Sequence, residues 1–420
     1  MDSFRLIFKD TSLRKKILFV LFALALFRVG AAIPIPGVDA GRLASFFSGS
    51  QFFGLLNIFT GGAFDNLSIL MLGVGPYITA SIIMQLLTML VPRLKEIYHE
   101  EGEAGRQKFN QYSRYLTVPL AMLQGFGLLA LLGQQGVLGQ LTVFDRFSNI
   151  IIVTAGSLLL MWLGELITEY GIGNGVSILI FAGIVSSIPQ AIRQTFFSFD
   201  PTQLPLIVGF IVAAIAIVAA VIVVTEGQRP VPISYARRIR GNRVYGGTST
   251  YLPLRVNQAG VIPIIFALSI LLFPQMIMKF LAGANNAAVQ SVAQAVLAFL
   301  ANPWTDAVLY FTLVFAFTYF YTSVTFDPNA IAENLQKSGA FVPGIRPGHS
   351  TAEFLYKILS RITLVGALFL GAIAVLPLTM RALTGLVTLT IGGTALLIVV
   401  SVVLETIKQI QAQIVMRTYE

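Results

Sequence analysis

Two carboxylates, Glu165 and Glu169, stand one helical turn apart behind Trp162, and the glycine-rich run Gly171-Ile172-Gly173-Asn174-Gly175 follows them. Carboxylates at that spacing share a helix face and could relay protons, while a glycine-rich turn could cradle a phosphate on its backbone N–H groups. The sequence carries neither chemistry further. The glycine run lacks the Lys-Ser/Thr that completes a phosphate loop. The carboxylates fall just past an apolar stretch, where a solvated helix end accounts for them. Cysteine is absent and histidine occurs only as His99 and His349, which excludes disulfides, thiolate metal sites and cysteine nucleophiles and leaves little for a histidine cluster. No metal, cofactor or enzymatic constellation is expected.

The elements around these residues are membrane elements. Of 420 residues, 56% are hydrophobic and 11% charged, against about 25% charged in soluble proteins, and the mean hydropathy is +0.80. A spanning helix needs about 20 mainly apolar residues. Ten segments qualify: 17–33, 67–91, 116–132, 150–164, 176–192, 204–224, 261–278, 307–324, 362–378 and 389–404. The segments alternate in the charge that flanks them. Connections on the side of the N-terminus carry 22 of the 28 lysines and arginines, those opposite carry 5, and Arg28 lies inside the first segment. That asymmetry predicts a multi-pass protein with both termini in the cytoplasm. The net charge of +9 is therefore an orientation signal able to meet anionic membrane lipids or an acidic partner, and DNA is not an expected partner. Arg14-Lys15-Lys16, the apolar run after them and Gly30-Ala31-Ala32 also fit a secretory signal peptide, but Ile33-Pro34-Ile35-Pro36 extends the apolar stretch past the cleavage site.

Three departures from plain spanning helices stand out. Residues 60–76, with Gly61, Gly62, Gly73, Gly75 and Pro76, should break the second segment. They read either as a kinked helix behind a loop or as a re-entrant half-helix beside a cavity. The middles of the segments hold no Asp, Glu, Lys or His, whereas an ion-coupled transporter usually places an ionisable group there. Two connections, 226–260 and 326–361, are longer than a turn requires. In the first, Ile233-Ser234-Tyr235 and Val244-Tyr245 around Gly241-Asn242 predict a projecting β-hairpin; in the second, a polar helix is expected around Glu333 to Lys337. Arginines near a hairpin tip suit a large anionic partner.

Four runs carry a resemblance to a known family. Leu72-Gly73-Val74-Gly75-Pro76-Tyr77-Ile78-Thr79-Ala80-Ser81-Ile82-Ile83-Met84-Gln85-Leu86-Leu87, Ile167-Thr168-Glu169-Tyr170 with the glycine run after it, Ala259-Gly260-Val261-Ile262-Pro263-Ile264-Ile265-Phe266, and Gly339-Ala340-Phe341-Val342-Pro343-Gly344-Ile345-Arg346-Pro347-Gly348 are similar to the SecY family of bacterial protein-conducting channels, in order and over nearly the whole chain. The resemblance implies an all-α integral membrane protein of ten transmembrane helices, in two pseudosymmetric inverted-repeat halves (1–195 and 196–420) around a central hourglass pore, with a cytoplasmic β-hairpin loop. It implies a passive, gated pore in the bacterial plasma membrane that passes unfolded, signal-peptide-bearing preproteins and releases transmembrane helices sideways into lipid, without enzymatic activity. SecE and SecG are the implied membrane partners, and SecA and the ribosome the implied cytoplasmic ones.

By the same resemblance, the constriction is a ring of Ile78, Ile82, Ile180, Ile184, Ile265 and Ile398. The pairs 78/82 and 180/184 each share a helix face, and an apolar collar sheds water and so blocks ions without a charge. On residue type alone, isoleucine on such a helix packs or faces lipid. A plug is implied at 60–70, as a half-helix containing Gly61, Gly62, Ala63, Phe64, Asp65, Asn66, Leu67 and Ser68. A lateral gate is implied where the second and third segments meet the seventh and eighth. Thr79, Ser81, Gln85 and Asn257 lie in or beside two of these segments, and hydrogen bonds between helices from them, about 1 kcal/mol each, are expected to hold the gate shut; packing polars satisfied locally are the alternative. Docking of SecA and the ribosome is implied at Arg243 and Arg346. Asn242 stands where relatives commonly carry a second arginine, with Arg237, Arg238 and Arg240 beside it to compensate. The rival from another class is a secondary small-molecule transporter, which shares inverted repeats and broken helices.

Overall fold

The computed structural model describes the chain except residues 1–9, 38–59, 61, 65, 100, 135, 139–141, 198–203, 236–237, 241–242, 246–248, 284–285, 385–389 and 419–420. Ten long helices lie over the ten apolar segments: α1 (Thr11–Ala32), α2 (Gly75–Leu90), α4 (Gly102–Gln134), α5 (Val143–Tyr170), α6 (Gly175–Phe197), α7 (Leu204–Glu226), α8 (Ile262–Leu281), α10 (Pro303–Thr325), α12 (His349–Thr384) and α13 (Thr390–Thr418). Three shorter helices, α3 (Pro92–His99), α9 (Ala287–Ala301) and α11 (Pro328–Lys337), lie between them. The starts are set locally. Asp10 caps α1, Thr142 and Asp145 form a reciprocal capping box on α5, and Asn302-Pro303 and Asp327-Pro328 open α10 and α11. Among the described residues six helical stretches are long and apolar enough to cross a bilayer alone, and α2 with α3, bent by 114°, makes a seventh; the described apolar parts of α6 and α7 are shorter.

The break expected over residues 60–76 is present: the second segment is a continuous helix only from Gly75, because Gly73 has a positive φ and Pro76 can be accommodated only in a first helical turn. One element is new: the apolar helix α9 was not expected at all.

Within the first group of helices, α2 packs on α4, α4 on α5, α5 on α6, and α1 on α5 and α6; within the second, α8 packs on α10, α10 on α12, α12 on α13, and α7 on α13. Apart from α1 on α5, which has no counterpart among these contacts, the same order of neighbours recurs in the two groups, in keeping with an internal repeat. Between the groups the principal contacts run along two seams, α8 against α2 and α4, and α13 against α6. One buried apolar core extends through all of these helices.

The two long connections form one small domain. Strands β1 (Gln228–Tyr235) and β4 (Ser249–Arg255) pair antiparallel, and β2 (Arg238–Arg240) pairs with β3 (Arg243–Tyr245), Arg240 opposite Arg243. The expected hairpin is therefore present. Its unexpected neighbour is β5 (Ala340–Phe341) from the second connection, which adds to β1 and gives the sheet order β4-β1-β5. Val231, Leu254 and Val342 bury against Leu355, Ile358 and Ile362 of α12, so the sheet rests on a core of its own.

Candidate functional site

A cavity of about 680 Å³ opens between the two groups of helices. Its polar wall is a stripe along α4 from Glu103 through Gln107 and Asn110 to Arg114, at helical spacing, facing Glu165, Thr168 and Glu169 at the end of α5. Its apolar floor is Ile78 of α2 with Ile262, Ile265 and Phe266 of α8. The glycine run after α5 lets α6 return at close quarters: a Cβ on Gly175 would collide with the carbonyl of Gly164, and Gly173 has φ +89°. Gly175 N–H donates to Thr168 Oγ1 at 2.9 Å. Glu165, at the helix end expected to be solvated, accepts from Arg114 Nε at 2.7 Å in a pair open to water.

A second cavity, of about 50 Å³, lies beyond the floor, between Thr60, Leu72, Thr79, Gln124 and Ser269. Along α4 and α8 the order is consistent, with residues 103–114 and 262–266 at the large cavity and 124–128 and 269–276 at the small one. Ile78 and Ile265 therefore stand between the two. All six isoleucines expected at a constriction are buried, each no more than 4% exposed, in the single core that joins the two groups.

The far side of that core is filled by residues 60–74. Of the expected plug residues, Gly61 and Asp65 lie outside the described residues; Ala63, Phe64, Leu67 and Ser68 are wholly buried. The segment is not the expected half-helix. It runs in consecutive turns, with positive φ at Gly62, Leu67 and Gly73, and these break the i→i−4 ladder. Its backbone pairs with the end of α1 instead, Ile35 N–H to Leu67 O and Ile69 N–H to Ile33 O, both at 2.9 Å. Asn66 Nδ2 donates to Ala31 O, and Ser157 Oγ to Gly73 O at 3.0 Å. A Cβ on Gly156 of α5 would collide with the carbonyl of Ile69, so glycine there is what admits the segment. Arg28 of α1 donates from Nη2 to Ala182 O of α6 at 2.6 Å beside Gly62.

Among the described residues no bond crosses the gate from these side chains, and the alternative of local partners holds for two of them. Thr79 Oγ1 donates to Gly75 O of its own helix, and Asn257 Nδ2 to Gly260 O three residues on. Oε1 of Gln85 and Oδ1 of Asn257 are buried without partners. Ser81 lines the large cavity. Local carbonyls win because a threonine or asparagine reaches its own turn with no helix-to-helix alignment. Gln124 and Ser269, on facing helices at the small cavity, escaped the sequence reading; the hydroxyl of Ser269 is also unpaired.

In the two long connections, Arg346 is exposed and its carbonyl accepts from Thr351 Oγ1 at 2.9 Å. Arg238, Arg240 and Arg243 are placed by backbone alone in β2 and β3, and Arg237 lies outside the described residues.

Comparison with known proteins is consistent with this architecture. The SecY family model matches residues 68–407. The protein translocase subunit SecY of Corynebacterium glutamicum is 45% identical over 98% of each chain. Its counterpart from Mycobacterium leprae is 44% identical over 98% of this chain and 97% of its own, and that of Streptomyces galbus 45% over 100% and 99%. A solved structure described as a protein conducting channel superposes over 96% of this chain and 93% of its own, with TM-score 0.65 and 17% identity. Sec61 in a canine ribosome-channel complex does so with TM-score 0.62 over the same shares.

Proposed function

The chain belongs to the SecY family, and from that premise we propose that it is the protein-conducting subunit of a Sec translocase, a passive gated pore for unfolded preproteins with a side exit for apolar helices. The observation that supports this reading is that Ile78 and Ile265 lie between a polar cavity and a small one lined by Thr60 and Leu72, with the other four isoleucines in the same core.

In this reading an unfolded chain enters the large cavity and parts the isoleucines. Exposing each to water costs about 1.5–3 kcal/mol, so the waist closes by default, and it offers a passing chain no fixed hydrogen-bond partner. Residues 60–74 back the collar and move aside. The seam of α8 against α2 and α4 is the lateral gate. Being passive, the pore draws its driving force from outside: SecA or a translating ribosome, docked on Arg240, Arg243 and Arg346, with SecE and SecG as membrane partners, in the bacterial plasma membrane with both termini cytoplasmic.

The test is conductance. Replacing Ile78, Ile82, Ile180 and Ile184 together by serine is expected to wet the collar and raise resting ion leak in planar bilayers. Leak equal to that of the wild type removes these residues from the constriction.

A further inference from the structure

Helix α9 is apolar but unable to span. Its 15 residues reach about 22 Å at about 1.5 Å each, short of the about 30 Å of a bilayer core. None is charged, and only Gln290, Ser291 and Gln294 are polar. The helix packs on α8 and α10, between the end of one and the start of the other, at the end of the bundle away from the two long connections.

Around its circumference α9 divides into three faces, where a helix between protein and water needs two. Val289, Ala293, Val296 and Leu300 recur at three- and four-residue steps and are buried or half-buried against the bundle. Gln290, Ser291 and Gln294 make an exposed polar face. The third face, Ala288, Val292, Ala295 and Phe299 at the same steps, is apolar yet open, with Val292 61% and Phe299 60% exposed. It runs on into α10, where Trp304 and Val308, one turn apart, are 60% and 66% exposed at the head of a helix long enough to span. Open apolar side chains on a spanning helix meet acyl chains, and tryptophan favours the level of the headgroups.

We propose that α9 lies in the membrane interface of the leaflet opposite the basic connections, with the bundle on one face, water on the second, and the lipid surface covering Ala288, Val292, Ala295 and Phe299 on the third. Lipid is the occupant that fits. Two alanines, a valine and a phenylalanine offer far less than the about 800 Å² that each partner of a stable dimer contributes, and no charge or hydrogen-bonding side chain on this face would orient a protein. Because the polar face carries no lysine or arginine, the attachment comes from apolar contact and needs no anionic headgroup. It ties the end of α8 to the level of Trp304. The inference requires that the chain span a bilayer, not that it conduct a polypeptide.

The experiment uses the full chain in phosphatidylcholine vesicles whose acyl chains carry bromine, a quencher of tryptophan emission, near the headgroup. Trp162 and Trp304 are the two tryptophans of the chain. With both changed to phenylalanine, Phe299→Trp reports on the third face and Gln294→Trp on the polar one. Phe299→Trp is expected to lose roughly half of its emission in brominated vesicles, as a ring buried about 5–10 Å into the interface would, and to keep that loss at high salt. Aqueous acrylamide should quench it little, and Gln294→Trp should show the opposite sensitivity. Should neither variant insert, Trp304 in Trp162→Phe is expected to show the same response to bromine. Emission from Phe299→Trp that acrylamide quenches as readily as that of Gln294→Trp, with bromine without effect, places the face in water and overturns the proposal. Shielding from both quenchers means that a protein or a second copy of the chain covers the face, and overturns it equally.

Discussion

The two seams that join the helix groups differ in chemistry. Where α13 meets α6, those helices bring Ile180, Ile184 and Ile398 to the shared core alongside the buried Ser177 and Ser401, and among the described residues neither helix holds a wholly buried polar atom that lacks a partner. Where α8 meets α2 and α4, the core is interrupted by Thr79, Gln124 and Ser269 around a small cavity, and Gln85 and Ser269 bury polar atoms without partners. An unsatisfied buried polar atom costs about 1–3 kcal/mol, which is returned when it reaches water or a new partner. Parting the α8 seam is therefore cheaper than parting the α6 seam. On the channel reading proposed above, a few polar side chains would bias opening to the α8 side.

The largest test of that contrast truncates one residue at each seam. Ile398→Ala removes a buried branched side chain and should cost about 2–5 kcal/mol. Ser269→Ala removes an orphan hydroxyl beside a cavity of about 50 Å³, with room for a water molecule; its effect should lie between neutral and about 1 kcal/mol stabilising. Thermal unfolding of the purified channel measures both. If Ser269→Ala is as destabilising as Ile398→Ala, the seams are equivalent and the argument fails.

The parts of this picture were unequally legible in the sequence. Ten apolar segments announced ten helices because spanning length and hydropathy are local properties. The waist needed the family resemblance, since the spacing of Ile78 and Ile82 shows a shared face but not what that face meets. Gly62 and Gly73 signalled a break, yet the left-handed backbone of Leu67, φ 41°, is imposed by pairing with α1 and has no signature in the residue type. The pairing of β5 with β1 joins stretches about a hundred residues apart in a two-residue strand, so no local pattern encodes it. Helix α9 is alanine-rich and too short to span, which left it indistinguishable from a connection. The polar residues assigned to the gate were found as residue types, but residue type left their partners open between a neighbouring helix and the same turn, and for Thr79 and Asn257 the local carbonyl is the partner.

A second test, of intermediate size, acts on one seam through the segment that backs it. Gly156→Ala places a methyl group against the carbonyl of Ile69, and since both atoms belong to packed backbone the segment must shift. Overpacking of this kind costs about 1–3 kcal/mol. Thr60 and Leu72 of that segment line the small cavity, so the shift should loosen the α8 seam and raise resting ion leak, leaving the α6 seam intact. Disulfide trapping between engineered cysteine pairs across each seam reads the two separately. Equal loosening of both would mean that the segment supports the whole waist and not one side of it.

The smallest expected effect comes from the pair that crosses neither seam. Arg114 and Glu165 join α4 to α5 within one group at 2.7 Å, but their side chains are 47% and 19% exposed. Water and salt screen such a pair, and the entropy of fixing two long side chains offsets part of the attraction. A double-mutant cycle with Arg114→Gln and Glu165→Gln should return a coupling of at most about 1 kcal/mol, declining at high ionic strength. Because α4 contacts α8 on a different stretch, around Gln124 and Leu128, neither substitution should change trapping across the seams. A coupling well above that value, insensitive to salt, would show that the vestibule wall is braced by this pair, and that gating strength is distributed into the cavity instead of residing in the unpaired polar groups of one seam.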